Sequence, residues 1–225
     1  MGKKTIWYCH HYAGSPSLGM SYRPYYLSKE FRNQGYNSFI ISASYHHLLN
    51  APIEQENNVA LNDFDGLPFI TLKTGLYNGN GVSRIKNMLH YSCHFKYRSR
   101  DIIKITGKPD VIIVSSAHPF HFPPLKRLSK KLNSQLIFEV RDLWPLSLIE
   151  LLNTPKWHPL VHWLSYLERK AYKQADQVVS LLSDSYPYMM EKGLSQDRFN
   201  VITNGFSFES DQKSESLPLD IHAKV

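Results

Sequence analysis

At 225 residues the chain has room for one large α/β domain and not for two of ordinary size, and its 42% hydrophobic content supplies a core. Its two cysteines, Cys9 and Cys93, leave no disulfide framework and no cysteine-based zinc site, which favours a reducing compartment. The formal charge of +7 and pI near 9.3 favour an anionic partner, with phosphates, nucleic acid and acidic lipid all open on charge alone. Lys3 and Lys4 lead straight into Thr5, Ile6, Trp7 and Tyr8, too short and polar a start for a signal peptide or a membrane span.

Apolar, β-branched and aromatic runs bounded by turns predict strands over 5–9, 38–42, 68–72, 110–115, 136–140, 177–182 and 200–202. Helical patterns fall between most of them: 22–33 with a stop at Gly35, 82–106 ending at Gly107, 120–132, 157–174, and 185–192 with Gly193 as its C-cap. This alternation predicts an α/β fold, a parallel sheet with helices on both faces. Residues 44–66 are polar, lack steady periodicity and read as a long loop. The acidic, serine-rich stretch 207–225 reads as a linker following a domain over 1–206.

Polar residues at the carboxyl ends of parallel strands are where such folds keep their chemistry. After the first strand, Gly14, Ser15 and Gly19 belong to a loop that opens a helix, where free backbone N–H groups and the helix dipole favour an anion and Arg23 adds charge; the competing reading is a plain turn. Lys73 and the Gly79–Asn80–Gly81 loop with Arg84 form a second candidate anion pocket, or an ordinary helix start. His118, fixed by Pro119 after the strand ending in Ser115 and Ser116, either orients a reacting group or caps and packs its loop. Glu139, Arg141 and Asp142 are the strongest candidates: Arg141 offers a planar fork for phosphate or carboxylate, and Asp142 a proton acceptor or an N-cap. Lys86, Lys96, Arg98, Arg100 and Lys104 interleave with Ile85, Met88, Leu89, Phe95 and Tyr97, which reads either as a basic amphipathic helix for an anionic membrane or as a crossover helix with its basic face in water. Histidine pairs such as His10-His11 lack the spacing of a zinc site, and no metal is expected.

Six segments, HYAGSPSLGMSYRPYYLSKEF (11–31), GNGVSRIKNML (79–89), PDVIIVSSAHPF (109–120), FEVRDLWPLSLIEL (138–151), ERKAYKQADQVVSLL (168–182) and VITNGF (201–206), carry a resemblance to the N-terminal, acceptor-side half of family 4 glycosyltransferases of the GT-B fold. Within that family the chain is similar to bacterial enzymes of capsule and O-antigen assembly that resemble N-acetylfucosamine transferases. The resemblance implies a Rossmann-like domain that is one half of a GT-B fold, with a second, donor-binding domain expected after the Asn204-Gly205 turn, where this chain stops at Val225. It implies retaining transfer of a sugar from a nucleotide-diphosphate donor to a lipid-linked glycan, with no cofactor bound to this half and little turnover by it alone. His118, Arg141 and Asp142 then become catalytic candidates, although the family's histidine position falls on either His118 or Ser115. Gly14, Ser15, Gly19, Arg23, Lys73, Arg84, Glu139 and Asn204 become substrate-binding candidates, and the place of work is cytoplasmic, free or peripheral on the inner face of the plasma membrane. Asp63 and Asp65 spell a DxD pair but read as part of a turn before Gly66. The alternatives are a non-catalytic binding module or subunit completed by a separate donor-binding chain, and a nucleic-acid binder, which no recognition motif supports.

Overall fold

A computed structural model describes residues 2–79 and 81–205; Asn80, Phe206, Phe208 and the expected linker lie outside the described residues. Eight strands, β1 (Thr5–Cys9), β2 (Asn37–Ala43), β3 (Val59–Phe64), β4 (Leu67–Leu72), β5 (Val111–Ser116), β6 (Gln135–Val140), β7 (Gln177–Ser180) and β8 (Phe199–Val201), form one sheet in the order β3-β4-β2-β1-β5-β6-β7-β8. Every pairing is parallel except the β3–β4 hairpin.

The strands of the sheet's centre are continuous apolar runs because both faces are covered. On one face, Leu27 and Phe31 of α1 (Arg23–Asn33) pack against Ile6, Tyr8 and Ile113. On the other, Trp7, Cys9, Ile112 and Val114 meet Tyr91 and Phe95 of α2 (Val82–Tyr97), Phe122 and Leu125 of α4 (Phe122–Leu132), and Ala171 and Tyr172 of α6 (Pro159–Gln174). This is the expected α/β architecture, a Rossmann-like parallel sheet with helices on both faces.

Three details differ from the sequence reading. Part of the segment 44–66 is β3, an edge strand joined to β4 by a two-residue turn in which Asp65 and Gly66 both have positive φ (53° and 78°), the Asp-Gly geometry of a tight hairpin. Its side chains alternate between half-buried and exposed, so no apolar run announces it. The single helix expected over 82–106 is two, because the chain bends at Arg98 (φ −120°) into α3 (Ser99–Thr106); that seats Ile102 in the core and lets the Trp7 indole donate to Thr106 Oγ1 at 2.9 Å. A short helix not expected from the sequence, α5 (Leu146–Leu152), follows Pro145, whereas α7 (Tyr186–Glu191) falls within the helix expected over 185–192.

The basic helix turns its apolar side inward. Met88, Tyr91, Phe95 and Ile102 are buried, while Lys86, Lys96, Arg98, Arg100 and Lys104 face water. These core side chains are spent on the sheet, so what this element offers a partner is mainly charge.

Candidate active site at the strand switch point

From β1 the chain builds one side of the sheet, β2 and then the β3–β4 hairpin with β3 at the edge, before it returns to place β5 on the other side of β1. In an open parallel sheet the crevice at this reversal, beyond the carboxyl ends of the strands, is the natural ligand site. Residues following β1 and β5 meet there. His11 Nδ1 lies 2.8 Å from His118 Nε2, and His11 Nε2 lies 2.7 Å from Asn87 Oδ1 on α2. His11 is sandwiched between the Tyr12 and Tyr91 rings, with centroids at 4.5 and 4.7 Å. Burial, and then the neighbouring histidines, lowers the pKa of His11 and His118 well below the ordinary histidine value; for His10 burial acts first and the Arg141 charge second.

Arg141 and Asp142 follow β6 on the same rim. Arg141 Nη1 lies 2.9 Å from His10 Nε2 and donates to Ser21 Oγ at 2.8 Å, so the loop after β1 orients the guanidinium. These groups, with Tyr12, Leu48, Ala117, Leu181 and Asn204, line a hollow of about 290 Å³. Asp142 also borders a cavity of about 380 Å³, together with Arg84 and His118 and a mainly apolar wall that includes Met88, Phe120, Trp144, Leu160 and Leu164. Burial raises the Asp142 carboxyl above the usual range and the Arg141 charge partly offsets this. A polar hollow and an apolar one therefore share a carboxylate. A further hollow of about 540 Å³, under residues 45–52 and 76–78, has no charged side chain in its lining and stands apart from these groups.

The remaining predicted residues take other places. Glu139 is buried under the rim, paired with Arg23 Nε at 2.9 Å and accepting from Tyr8 Oη at 2.7 Å and Ser115 Oγ at 2.5 Å. The other end of Arg23 donates to the Ile202 and Thr203 carbonyls at 2.8 Å and to Asn204 Oδ1 at 3.2 Å, so this one side chain ties the turn after β8 to the buried carboxylate. Gly14 and Gly19 are demanded by packing: a Cβ on Gly14 would overlap the Gly19 and Met20 carbonyls, and Gly19 (φ +131°) passes against the Leu48 carbonyl. The amides of Gly14, Ser17, Leu18, Gly19 and Met20 already donate within the protein, Ser17 to Asp65, while Ser15 is fully buried. That loop is thus built mainly to hold the histidines and Ser21 in place. The two aspartates of the DxD pair serve the hairpin, Asp65 through Ser17 and Asp63 Oδ1 by accepting from Gly66 N at 3.0 Å. Arg84 donates to Tyr12 Oη at 3.2 Å with its guanidinium over that ring; Lys73, two strands from β1, donates to the Glu56 carbonyl. His118 makes no side-chain cap to the turn it begins, which removes the capping alternative.

Sequence reasoning weighs His10 and His11 only as metal ligands and passes over Tyr12, Ser21 and Asn87. The histidines directly follow the first strand, which is the signal that could have found them; Asn87 lies mid-helix and gives none. Glu168 of α6 was also passed over as a titrating group: it accepts from Tyr172 and Tyr188 at 3.1 and 2.9 Å, and burial pushes its pKa up to about 7. Among the described residues no three His, Cys, Asp or Glu side chains are grouped to hold a metal ion, and no helix is long and apolar enough to cross a membrane.

A mostly parallel sheet whose reversal point carries an arginine, a carboxylate and a buried histidine beside two hollows is a Rossmann-like domain with a ligand crevice. The chain belongs to Glycosyltransferase Family 4, whose family description matches residues 18–210. Among solved structures it is similar to the sucrose-phosphate synthase of Thermosynechococcus elongatus (12% identity, TM-score 0.62, 91% of this chain and 49% of that one). It is also similar to Arabidopsis thaliana UGT89C1 complexed with UDP (11%, 0.55, 99% and 54%) and to the catalytic domain of Arabidopsis thaliana starch synthase IV bound to ADP and acarbose (12%, 0.53, 92% and 52%). At these identities the likeness concerns the fold, and the chain spans about half the length of each of these three. No curated protein matches it.

Proposed function

We propose that this chain is the acceptor-side half of a retaining glycosyltransferase that moves a sugar from a nucleotide-diphosphate donor to a lipid-linked glycan in surface-polysaccharide synthesis. The observation that carries the reading is the pair of hollows sharing Asp142. The polar one presents Arg141 to developing phosphate charge, and the apolar one suits a greasy acceptor. In this reading Asp142 receives or holds the acceptor hydroxyl, and His118 steadies the reacting sugar. Asn204, Gly14, Ser15 and Gly19 shape the near wall; Arg23 and Glu139 hold that wall rather than touch substrate; Arg84, which lines the apolar hollow, meets acceptor phosphate, and Lys73 lies too far along the sheet to join it.

Exposed Trp157, Trp163 and Tyr166, beside Lys156, Arg169 and Lys170, support contact with a lipid surface near the apolar cavity, since aromatic rings with flanking cations suit the membrane interface. Leu182, Val201 and Ile202, exposed by the carboxyl ends of the last strands, favour a covering partner. That patch equally supports the second reading, a subunit completed by a separate donor-binding chain.

The test is sugar transfer to an isoprenoid-diphosphate-linked acceptor, measured with the purified chain alone and with a donor-binding half added. The expected result is acceptor binding by the chain alone, transfer only with the added half, and a loss on the order of 100-fold on Arg141→Ala. Robust transfer by the chain alone refutes its dependence on a second half, and failure to bind the acceptor refutes the acceptor-side assignment.

A further inference from the structure

The hydrogen-bond chain that crosses the strand switch point has a direction, and that direction fixes which nitrogen of His118 is free. It starts at Asn87. One terminal atom of its amide lies 2.6 Å from the Gly75 carbonyl and 3.3 Å from the Tyr45 carbonyl. Two carbonyl acceptors around a single atom require that atom to be the NH₂, so the other, facing His11, is the amide oxygen. An oxygen at 2.7 Å from His11 Nε2 requires a proton on Nε2. A neutral His11 then carries its lone pair on Nδ1. The atom opposite, His118 Nε2 at 2.8 Å, must supply the proton for that bond. His118, neutral in its turn, is left with a lone pair on Nδ1.

That last atom is buried and has no hydrogen-bond partner among the described residues, although a buried acceptor ordinarily finds one. Its ring borders the 380 Å³ cavity beside Arg84 and Asp142. The N–H groups of the turn that His118 begins receive nothing from it. His11, His121, His10 and Arg84 lie around the ring and each would oppose a positive charge on it, while Asp142 on the wall of the same cavity would favour one.

We propose that Asn87 and His11 are positioning residues that hold His118 in its Nε2–H form, so that the Nδ1 lone pair is reserved as the acceptor for a hydroxyl of the bound ligand. The part of this inference that concerns the ligand rests on the sugar-transfer reading; the tautomer does not. With the opposite tautomer, His118 would present an N–H and could only donate, to an anion or to a carbonyl, so the relay decides which chemical group the site takes.

The experiment is long-range proton–nitrogen NMR on the full chain labelled with ¹⁵N-histidine, in which a ring nitrogen bearing a lone pair is shifted far downfield from one bearing a proton. His118 and His11 are assigned by the signals lost in His118→Gln and His11→Gln. The expected result is Nε2 protonated and Nδ1 bare in both rings, with Asn87→Leu, similar in size but without the acceptor, losing the single-tautomer signature at His118. A proton on His118 Nδ1 in the unaltered chain overturns the proposal, even if the leucine variant does not fold. So does a His118 pattern that Asn87→Leu leaves unmoved in a folded variant. The spectroscopic result reads the same whether or not sugar transfer is found. Given transfer, Asn87→Leu is expected to lower kcat about tenfold, less than the roughly 10²–10⁴-fold of a group that itself moves the proton because Asn87 acts only through His118, with donor KM little changed; unchanged kcat overturns the ligand part alone.

Discussion

His118 and His158 stand in the same local sequence, a histidine followed by proline where a helical turn begins, yet only one of them caps. His158 sits at φ −62°, ψ 132°, and its Nδ1 accepts from Leu160 N at 3.2 Å, tying down an otherwise unpaired donor at the start of α6. His118 sits at φ −170°, ψ 155°, makes no cap bond, and is drawn instead to His11, distant by 107 residues in sequence. The half-buried histidine takes the nearest partner; the fully buried one takes a partner that only the assembled sheet supplies. A local pattern therefore predicts the role of the ring near the surface and loses that power at the strand switch point, where neighbours come from β1, β5 and α2.

The largest consequence of that difference is acid sensitivity. His10, His11, His46, His118 and His121 are at most 2% exposed, with His46 lowered to about 3 and His121 to about 4 and the others well below the ordinary 6.5. A histidine kept neutral in the fold binds a proton only when unfolded, so its contribution is complete above the unfolded pKa and is lost as pH falls below 6.5. Each costs about 2 kcal/mol by pH 5, which together rivals the whole stability of an ordinary domain. Denaturant melts between pH 7.5 and 5 should show a steep loss that His118→Gln makes shallower. A flat profile would mean that the cluster takes up protons while folded.

Glu168 tests the same rule with the opposite sign. Glu168 is 2% exposed, its carboxylate accepts from the Tyr172 and Tyr188 hydroxyls, and burial raises it from 4.5 to about 7. The fold therefore holds a proton that the unfolded chain has released, and this group's contribution, full below pH 4.5, is lost as pH rises to about 7. Above that pH the buried charge costs about 3 kcal/mol, the free-energy equivalent of the shift. Glu168→Gln, which keeps an acceptor without a charge, should raise stability at pH 8 by up to that amount and change it little at pH 4.5. A variant less stable than the unaltered chain at pH 8 would show that the carboxylate is wanted there as an anion. The five histidines outweigh this single carboxyl, so the net trend still falls toward acid.

The sheet was legible because β1, β2, β5 and β6 are apolar on both faces, a signal that needs no partner to be read. β3 was not: it lies at the edge, leaves Leu61 half in water and carries Asn62 and Asp63, so the segment reads as loop until its pairing with β4 is known. Asp65-Gly66 was the one local mark of the hairpin, and it was read as the turn it is. In the site, His118, Arg141 and Asp142 were legible as polar residues directly after strands. Glu139 was grouped with the rim, but strand alternation separates it from Val140 and turns it down onto Tyr8 and Arg23. Arg23 looked like a spare cation beside a glycine loop, and its partner is 116 residues away. Asn87 had no signal at all, because what it does depends on which carbonyls the loop at 75 brings to its amide.

The smallest expected effect comes from the surface member of the pair. His158→Ala removes one acceptor from the start of α6 and should cost about 1 kcal/mol, with serine or asparagine recovering most of it, since either can accept from the same N–H. Pro159 at the first helical position already sets the backbone of that turn, which keeps the loss small. Asparagine at position 118 is the matched control. It has no cap to inherit and leaves His11 Nδ1 with a different partner, so its cost should exceed that of His158→Asn by the penalty of disturbing a buried polar pair, about 1–3 kcal/mol. Equal costs at the two positions, measured by denaturant midpoint at pH 7.5, would mean that the buried bond to His11 adds nothing beyond what a surface cap provides.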